Sequence, residues 1–268
     1  METVNLGAAV VALALTIVIP VLFILYVFRF RRLQFFLPDI LVGIIVAYFA
    51  QTLLFAFTLN VAMAFLPGVM ATRAGQQVVY VVLATLDFML GYYLVFYIGY
   101  HRQFSEGQVS RVAIGGVVVK AMADTISAAL SNLTVAQRMA DGTLADYLAS
   151  VVNASSGINV DALVQAYQSY GVPQFMMPAI LTMLSVQTVY LFLILMGEHR
   201  SVLAQVGLVA AFSFFYYFNL AYPVPTVVVI GAMGLLIVEL YIIYVLMRAQ
   251  VARVNSERAA AAKGSPEA

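Results

Sequence analysis

The chain has 268 residues, of which 13 are Lys or Arg and 12 are Asp or Glu, so that 9% are charged and 64% are hydrophobic. A soluble domain carries about 25% charged residues, so this composition leaves too little polar surface to coat a water-soluble globule. Soluble enzymes, nucleic-acid-binding proteins and disordered proteins are therefore excluded. The composition predicts an all-α fold, a polytopic transmembrane helix bundle.

Seven stretches with few or no charges are long enough to cross the hydrocarbon core, which takes about 20 apolar residues. Pro223 and Pro225 separate the last two of them, because proline ends one helix and can start the next. The seven predicted spans, all within a single bundle over residues 1–248, are roughly 5–28, 40–66, 78–100, 112–135, 174–197, 201–220 and 226–247.

The basic residues predict the orientation of the bundle. Only Arg73 and Arg138 lie in one set of alternating loops, and Lys120 lies within a span. Since basic residues concentrate in cytoplasmic loops, we expect the N-terminus outside and the C-terminus in the cytoplasm, in a multi-pass protein of the plasma (cytoplasmic) membrane. The other set of loops, with the tail, holds Arg29, Arg31, Arg32, Arg102, Arg111, Arg200, Arg248, Arg253, Arg258 and Lys263.

Two segments are not predicted to cross the membrane. The outer loop 136–172 contains two weakly amphipathic stretches, Thr143–Val152 and Val160–Tyr170, which predict short helices at the outer interface. A simple connection is the alternative. The cytoplasmic tail 249–268 is rich in alanine and predicts a frayed helix that runs into disorder.

Four charged residues lie within the predicted spans: Asp87, Lys120, Asp124 and Glu239. A charge within the bilayer is costly, so each of them is a candidate functional residue. Asp39 precedes the second span and is expected to cap it after Pro38.

The fourth span carries a polar stripe of four residues. Lys120 and Asp124 are spaced to form an intrahelical ion pair. Ser127 and Ser131 continue the stripe at helical spacing, so this side should face other helices or a water-filled cleft. A buried structural pair and a ligand, proton or substrate site both remain open. Gly115 and its neighbour lie a turn earlier and predict close helix approach.

Several reaction types lack their residues. The chain has no cysteine and two histidines, which leaves no thiolate ligand and little for a histidine-rich metal site, so no metal is predicted. Neither His-Glu-x-x-His nor Gly-x-Ser-x-Gly occurs. A retinal protein would need a lysine in the last span, where there is none. The motifs identify no cofactor, which stays unknown.

The first span contains Ile19–Phe23 and leads to the basic turn Arg29–Arg32 and to Leu41–Ile45, and the next two spans contain Ala84–Phe96 and Gly115–Asp124. This order of features resembles the YhfC-type intramembrane protease family, relatives of the CAAX-processing-like glutamic membrane proteases, whose opening and motif-bearing helices look similar. This resemblance implies a protease-like bundle.

The motif positions of that family hold other residues here. Its Glu-Glu pair falls on Phe88 and Met89, and its Arg falls on Tyr92. Its His-x-x-x-Glu pair falls on Lys120 and Asp124, and a later histidine would fall near Ser213. The resemblance therefore implies a degenerate protease bundle, in which the Lys120–Asp124 ion pair occupies the polar cavity that the protease uses for its active site.

Three functions follow as hypotheses. The first is a non-catalytic protein that binds or regulates a membrane protein or a lipid, with membrane lipid as one partner and another membrane protein as a second, and no nucleic acid. The alternative is a proton- or ion-coupled small-solute transporter or sensor, in which Asp87, Asp124 and Glu239 line a path. The third is a divergent active intramembrane metalloprotease.

Overall fold

A computed structural model describes residues 2–30, 36–101, 108, 111–112, 114–151, 160–197, 202–220 and 224–263. It is an all-α protein, and the described residues contain no strand. The α-helices are α1 (Glu2–Phe30), α2 (Leu37–Tyr48), α3 (Phe55–Phe65), α4 (Pro67–Met70), α5 (Arg73–His101), α6 (Lys120–Ala140), α7 (Leu144–Val151), α8 (Val160–Gln168), α9 (Val172–Gly197), α10 (Val202–Leu220) and α11 (Thr226–Lys263).

In each of the seven predicted spans the described residues are helical, except Leu66 at the end of the second. In the described part of the chain, three helices are long and apolar enough to cross a membrane, with windows Asn5–Tyr26, Val172–Phe192 and Thr226–Ala249. Shorter apolar stretches lie in α2, α3 and α10. The fold class and the membrane-compatible helices agree with the sequence prediction, while the number of crossings and the orientation stay predictions.

Two predicted spans contain a π-helix, a wider helix that is rare and often found at functional sites. The first, Phe49–Leu54, joins α2 to α3 within one continuous helical segment. The second, Ile114–Val119, leads directly into α6. Each π-helix changes the register at which later side chains meet the neighbouring helices.

Helix α9 is the centre of the bundle, in contact with α1, α6, α10 and α11. Helices surround it, which explains why its side chains are apolar on several faces. Phe175, Leu184 and Phe192 are among its fully buried side chains. Its few polar side chains therefore need partners on neighbouring helices, because a buried polar group without a hydrogen bond is costly.

At one end of the bundle, α7 and α8 pack on the helix ends. They lie within the predicted outer loop 136–172, and their place at the outer membrane interface stays a prediction. Leu148 and Tyr167 join a core with Ala9 of α1 and Ala136 of α6.

The end of the loop is held by Tyr170, whose carbonyl oxygen accepts a hydrogen bond from Asn5 Nδ2 at 3.2 Å. Its phenol oxygen accepts the backbone N–H of Val224 at 2.8 Å. Burial raises the pKa of this phenol above its usual value.

An ion pair joins two segments at the start of α2 and of the second π-helix. Arg111 Nε lies 2.7 Å from Asp39 Oδ2, and the guanidinium lies over the ring of Phe36 at 5.9 Å from its centroid. The expectation that Asp39 caps α2 is wrong. Phe36 occupies the N-cap position without a side-chain cap, and Asp39 lies in the first turn, where its carboxylate is paired with Arg111.

The second π-helix lies against α2 with backbone close to backbone. A Cβ atom on Gly43 would overlap the carbonyl oxygen of Val112 and lie 2.8 Å from the nitrogen of Gly116. A Cβ atom on Gly115 would overlap the carbonyl oxygen of Ile40. The close approach predicted from the glycine pair is therefore confirmed, and its partner is α2.

The last helix is longer than the predicted span. Helix α11 has 38 residues and extends about 57 Å at 1.5 Å per residue, well beyond the hydrocarbon thickness. The first part of the predicted tail is thus a direct continuation of the last span. Residues 264–268 lie outside the described part of the chain.

Candidate functional site

A hydrogen bond between α6 and α10 holds the carboxylate of Asp124. The phenol of Tyr216 donates to Asp124 Oδ2 at 2.5 Å. Both helices pack against α9, and this bond links them beside it. Asp124 and Tyr216 are each half-buried, so the carboxylate is held by the protein and still accessible from outside.

The serines of the predicted polar stripe lie on the open side of α6. Ser127 and Ser131 are exposed. The side of α6 that is packed in the bundle is marked by Thr125 and Ala129, which are 3% and 0% exposed. There Thr182 of α9 donates its hydroxyl hydrogen to Thr125 Oγ1 at 2.8 Å. The stripe therefore runs along the edge of the helix–helix contact.

Lys120 is the first residue of α6 after the π-helix. Its side chain lies outside the described part of the structure. The intrahelical pair with Asp124 therefore stays a prediction.

Asp87 lies in a different contact, between α5 and α3. Its side chain is 4% exposed, and its Oδ2 accepts the hydroxyl hydrogen of Thr58 at 3.1 Å. Thr58 lies four residues after the first π-helix ends at Leu54, and Asp124 lies five residues after the second ends at Val119. Two of the carboxylates thus lie in contacts formed one turn beyond a π-helix.

Glu239 lies in a third contact, between α11 and α9. The residue is fully buried, and Oε1 accepts the hydroxyl hydrogen of Thr188 at 2.9 Å. Each of the three carboxylates is therefore bonded to a hydroxyl group from a different neighbouring helix. In the described part of the chain, no group of three or more His, Asp or Glu side chains is placed to hold a metal ion.

No family model, curated protein or solved structure matches this chain.

The positions that correspond to the protease motifs are only partly described. Met89 and Ser213 are buried, at 7% and 4% exposure, and Asp124 is bonded to Tyr216. The side chains of Phe88 and Tyr92, like that of Lys120, lie outside the described residues. The family resemblance therefore stays a prediction.

The residues that complete these contacts were not identified from the sequence. Tyr216 lies in an aromatic run of α10, 92 residues from Asp124, and Thr58 lies 29 residues from Asp87. No local pattern marks either residue, because each partner is chosen by the packing of separate helices. In the most accessible of the three contacts, the Tyr216 hydroxyl hydrogen is already donated, so the Asp124 carboxylate and the phenol oxygen can accept further hydrogen bonds.

Proposed function

We propose that this chain is a seven-span protein of the plasma membrane that binds another membrane protein or a lipid, without cleaving it, at the edge between α6 and α10. The observation that carries the proposal is the half-buried Asp124, bonded to Tyr216 and followed on the same helix by exposed Ser127 and Ser131. Hydrocarbon cannot solvate such a surface, so within a membrane these groups need water, a lipid headgroup or the polar groups of another helix.

Two contacts between helix ends support spans that alternate in direction. The start of α1, the end of α6 and the start of α9 all meet α7 and α8 at one end. The start of α2 meets Arg111 in another contact, ahead of α6, as expected when consecutive spans alternate in direction.

A pair of reporters tests the proposed orientation. A fluorescent domain that folds only in the cytoplasm is expected to be active after Met247. The same domain should be inactive when inserted at Gly142, an exposed turn residue with φ of +70°. Activity at Gly142 but not after Met247 would show that the orientation is inverted.

The binding site is tested with a photo-crosslinking side chain at Ser127 or Ser131, activated in intact membranes. We expect a discrete crosslinked product, either a membrane protein or one phospholipid class. A matched control at Ile237, 63% exposed on α11, should give only the bulk lipid composition. In Tyr216→Phe and Asp124→Ala backgrounds the product should fall about tenfold or more, because a hydrogen bond to a charged group contributes about 1.5–3 kcal/mol.

Three outcomes would contradict this proposal. The crosslinked product at Ser127 could be the same as that of the control at Ile237. Alternatively, its amount could be unchanged in Tyr216→Phe and Asp124→Ala while both variants remain folded on gel filtration. Recovery of a specifically cleaved substrate with purified protein would instead support the metalloprotease hypothesis.

Proton- or ion-coupled transport is the second candidate, and the two π-helices favour it. Irregular helices within membrane spans are frequent where transporters bind ions, and here each π-helix precedes a carboxylate contact by about one turn. Proton or sodium flux into vesicles containing the purified protein, abolished when Asp87 and Asp124 are replaced by Asn, would support transport over binding alone.

A further inference from the structure

Glu239 is a buried residue on a helix that is mostly exposed. Val228 and Ala232 precede it on the face of α11 that packs on the bundle, at 7% and 0% exposure, and Glu239 itself is 0% exposed. The neighbouring Ile237 and Tyr241 are 63% and 67% exposed. The carboxyl group is thus enclosed in the α9–α11 contact.

The two oxygens of the carboxyl group have unequal surroundings. Oε1 accepts a hydrogen bond from Thr188 at 2.9 Å. Oε2 is buried and has no hydrogen-bond partner among the described residues. Among the described residues, one neutral hydroxyl is therefore bonded to this carboxyl, and it cannot balance a full negative charge.

The helices that pack against α11 carry no countercharge. Neither Val172–Gly197 nor Val202–Leu220 contains Asp, Glu, Lys, Arg or His. On α11 the nearest charged residue is Arg248, nine positions or about 13 Å along the axis.

The titratable side chains of α9 and α10, and those of α11 that lie closest to Glu239, are tyrosines. Tyr190 of α9 packs on the ring of Phe23 in α1, and Tyr216 of α10 donates to Asp124. Tyr217 of α10 has a side chain outside the described part. On α11 itself, Tyr241 and Tyr244 are exposed, away from the buried face.

We propose that Glu239 is a proton-binding site that keeps α9 and α11 in contact. An enclosed carboxylate without a cation is far less stable than a neutral carboxylic acid, so the closed contact binds a proton on Oε2. When the two helices separate, water reaches the carboxyl group, accepts the proton as hydronium and hydrates the carboxylate. Proton release and helix separation are therefore linked. This site is independent of the Asp124 site.

Infrared spectroscopy of the purified protein in lipid tests the bound proton. At neutral pH we expect a carbonyl band of a protonated carboxylic acid that is absent from Glu239→Gln. Thr188→Val should keep the band and move it to higher frequency, because its carbonyl oxygen loses a hydrogen bond. Asp87→Asn is the matched control for the other buried carboxyl group, and it should leave the Glu239 band in place.

Thiol labelling tests the linked helix separation. The chain has no cysteine, so Ala232→Cys places a single thiol on the same buried face of α11, about two turns before Glu239. Labelling by a water-soluble maleimide should increase with pH more steeply than in the same variant carrying Glu239→Gln. The comparison at each pH removes the contribution of thiol ionisation.

The proposal would be overturned if wild type and Glu239→Gln had the same protonated-carboxyl spectrum at neutral pH. It would also be overturned if the band were lost on titration near pH 4, where carboxyl groups in water ionise. Should Glu239→Gln fail to fold, an unshifted band in Thr188→Val would exclude Glu239 as its source. Equal labelling in both Ala232→Cys backgrounds would refute the linkage to helix separation.

Discussion

Alanine at Gly43 or Gly115 is expected to separate α2 from the second π-helix and to destabilise the protein by about 3 kcal/mol or more. The added Cβ atom would overlap a backbone carbonyl oxygen of the other segment, that of Val112 or of Ile40. Overpacking typically costs about 1–3 kcal/mol when side chains can move aside, and backbone atoms have less freedom to do so. At roughly 2–4 °C per kcal/mol for a chain of this size, Tm should fall on the order of 10 °C.

Each variant is heated in detergent to a series of temperatures and then run on gel filtration. The measurement is the temperature at which half of the monodisperse peak is lost. Gly207→Ala is the matched control, because it lies within α10 and no heavy atom lies within 4 Å of its added Cβ. That control should leave Tm unchanged or raise it slightly, since alanine favours a helix over glycine by about 1 kcal/mol. Equal midpoints for Gly43→Ala and Gly207→Ala would show that α2 is not packed this closely.

Removal of one partner of the Asp39–Arg111 ion pair should destabilise the bundle by about 2 kcal/mol. The two side chains are 15% and 11% exposed, so Asp39→Ala would leave the guanidinium largely buried without its carboxylate. Breaking a fully buried pair costs about 3–5 kcal/mol, and the remaining solvent access lowers this figure. Chemical unfolding in mixed micelles gives the free energies.

A double-mutant cycle separates the pair from its surroundings. The loss in Asp39→Ala/Arg111→Ala should be smaller than the two single losses together, because neither charge is then left alone. Arg138 is an exposed arginine whose guanidinium lies 5.5 Å from the ring centroid of Tyr147, and Arg138→Ala should change stability by no more than about 0.5 kcal/mol. Additive losses in the cycle would show that Asp39 and Arg111 do not interact.

The helix content and several helix bounds could be predicted from local patterns. The apolar stretches predicted helices, and the weakly amphipathic stretches Thr143–Val152 and Val160–Tyr170 predicted α7 and α8 to within about two residues at each bound. Helical periodicity is a property of neighbouring residues, so the sequence carries it directly. The π-helices were not predicted, because they arise where a segment must adjust its register to the helices beside it.

The charged residues could be located from the sequence, but their partners could not. Their scarcity excluded a soluble protein, and their positions identified Asp87, Asp124 and Glu239 as candidate functional carboxylates within the spans. The sequence also indicated that Gly115 allows close approach, though not that α2 is what approaches it. Local spacing could pair Lys120 only with Asp124, and Asp39 only with its own helix end.

Only the tertiary structure decided the partners of these residues. Asp39 is bonded to Arg111, 72 residues away, and Glu239 is bonded to Thr188, 51 residues away. It also placed Asp124 against Tyr216 at an accessible edge and enclosed Glu239 completely. The sequence by itself determined which residues form helices and which of those carry charge, because both are local properties. Partner and exposure depend on how separate helices pack, and many arrangements of the same helices would satisfy the same local pattern.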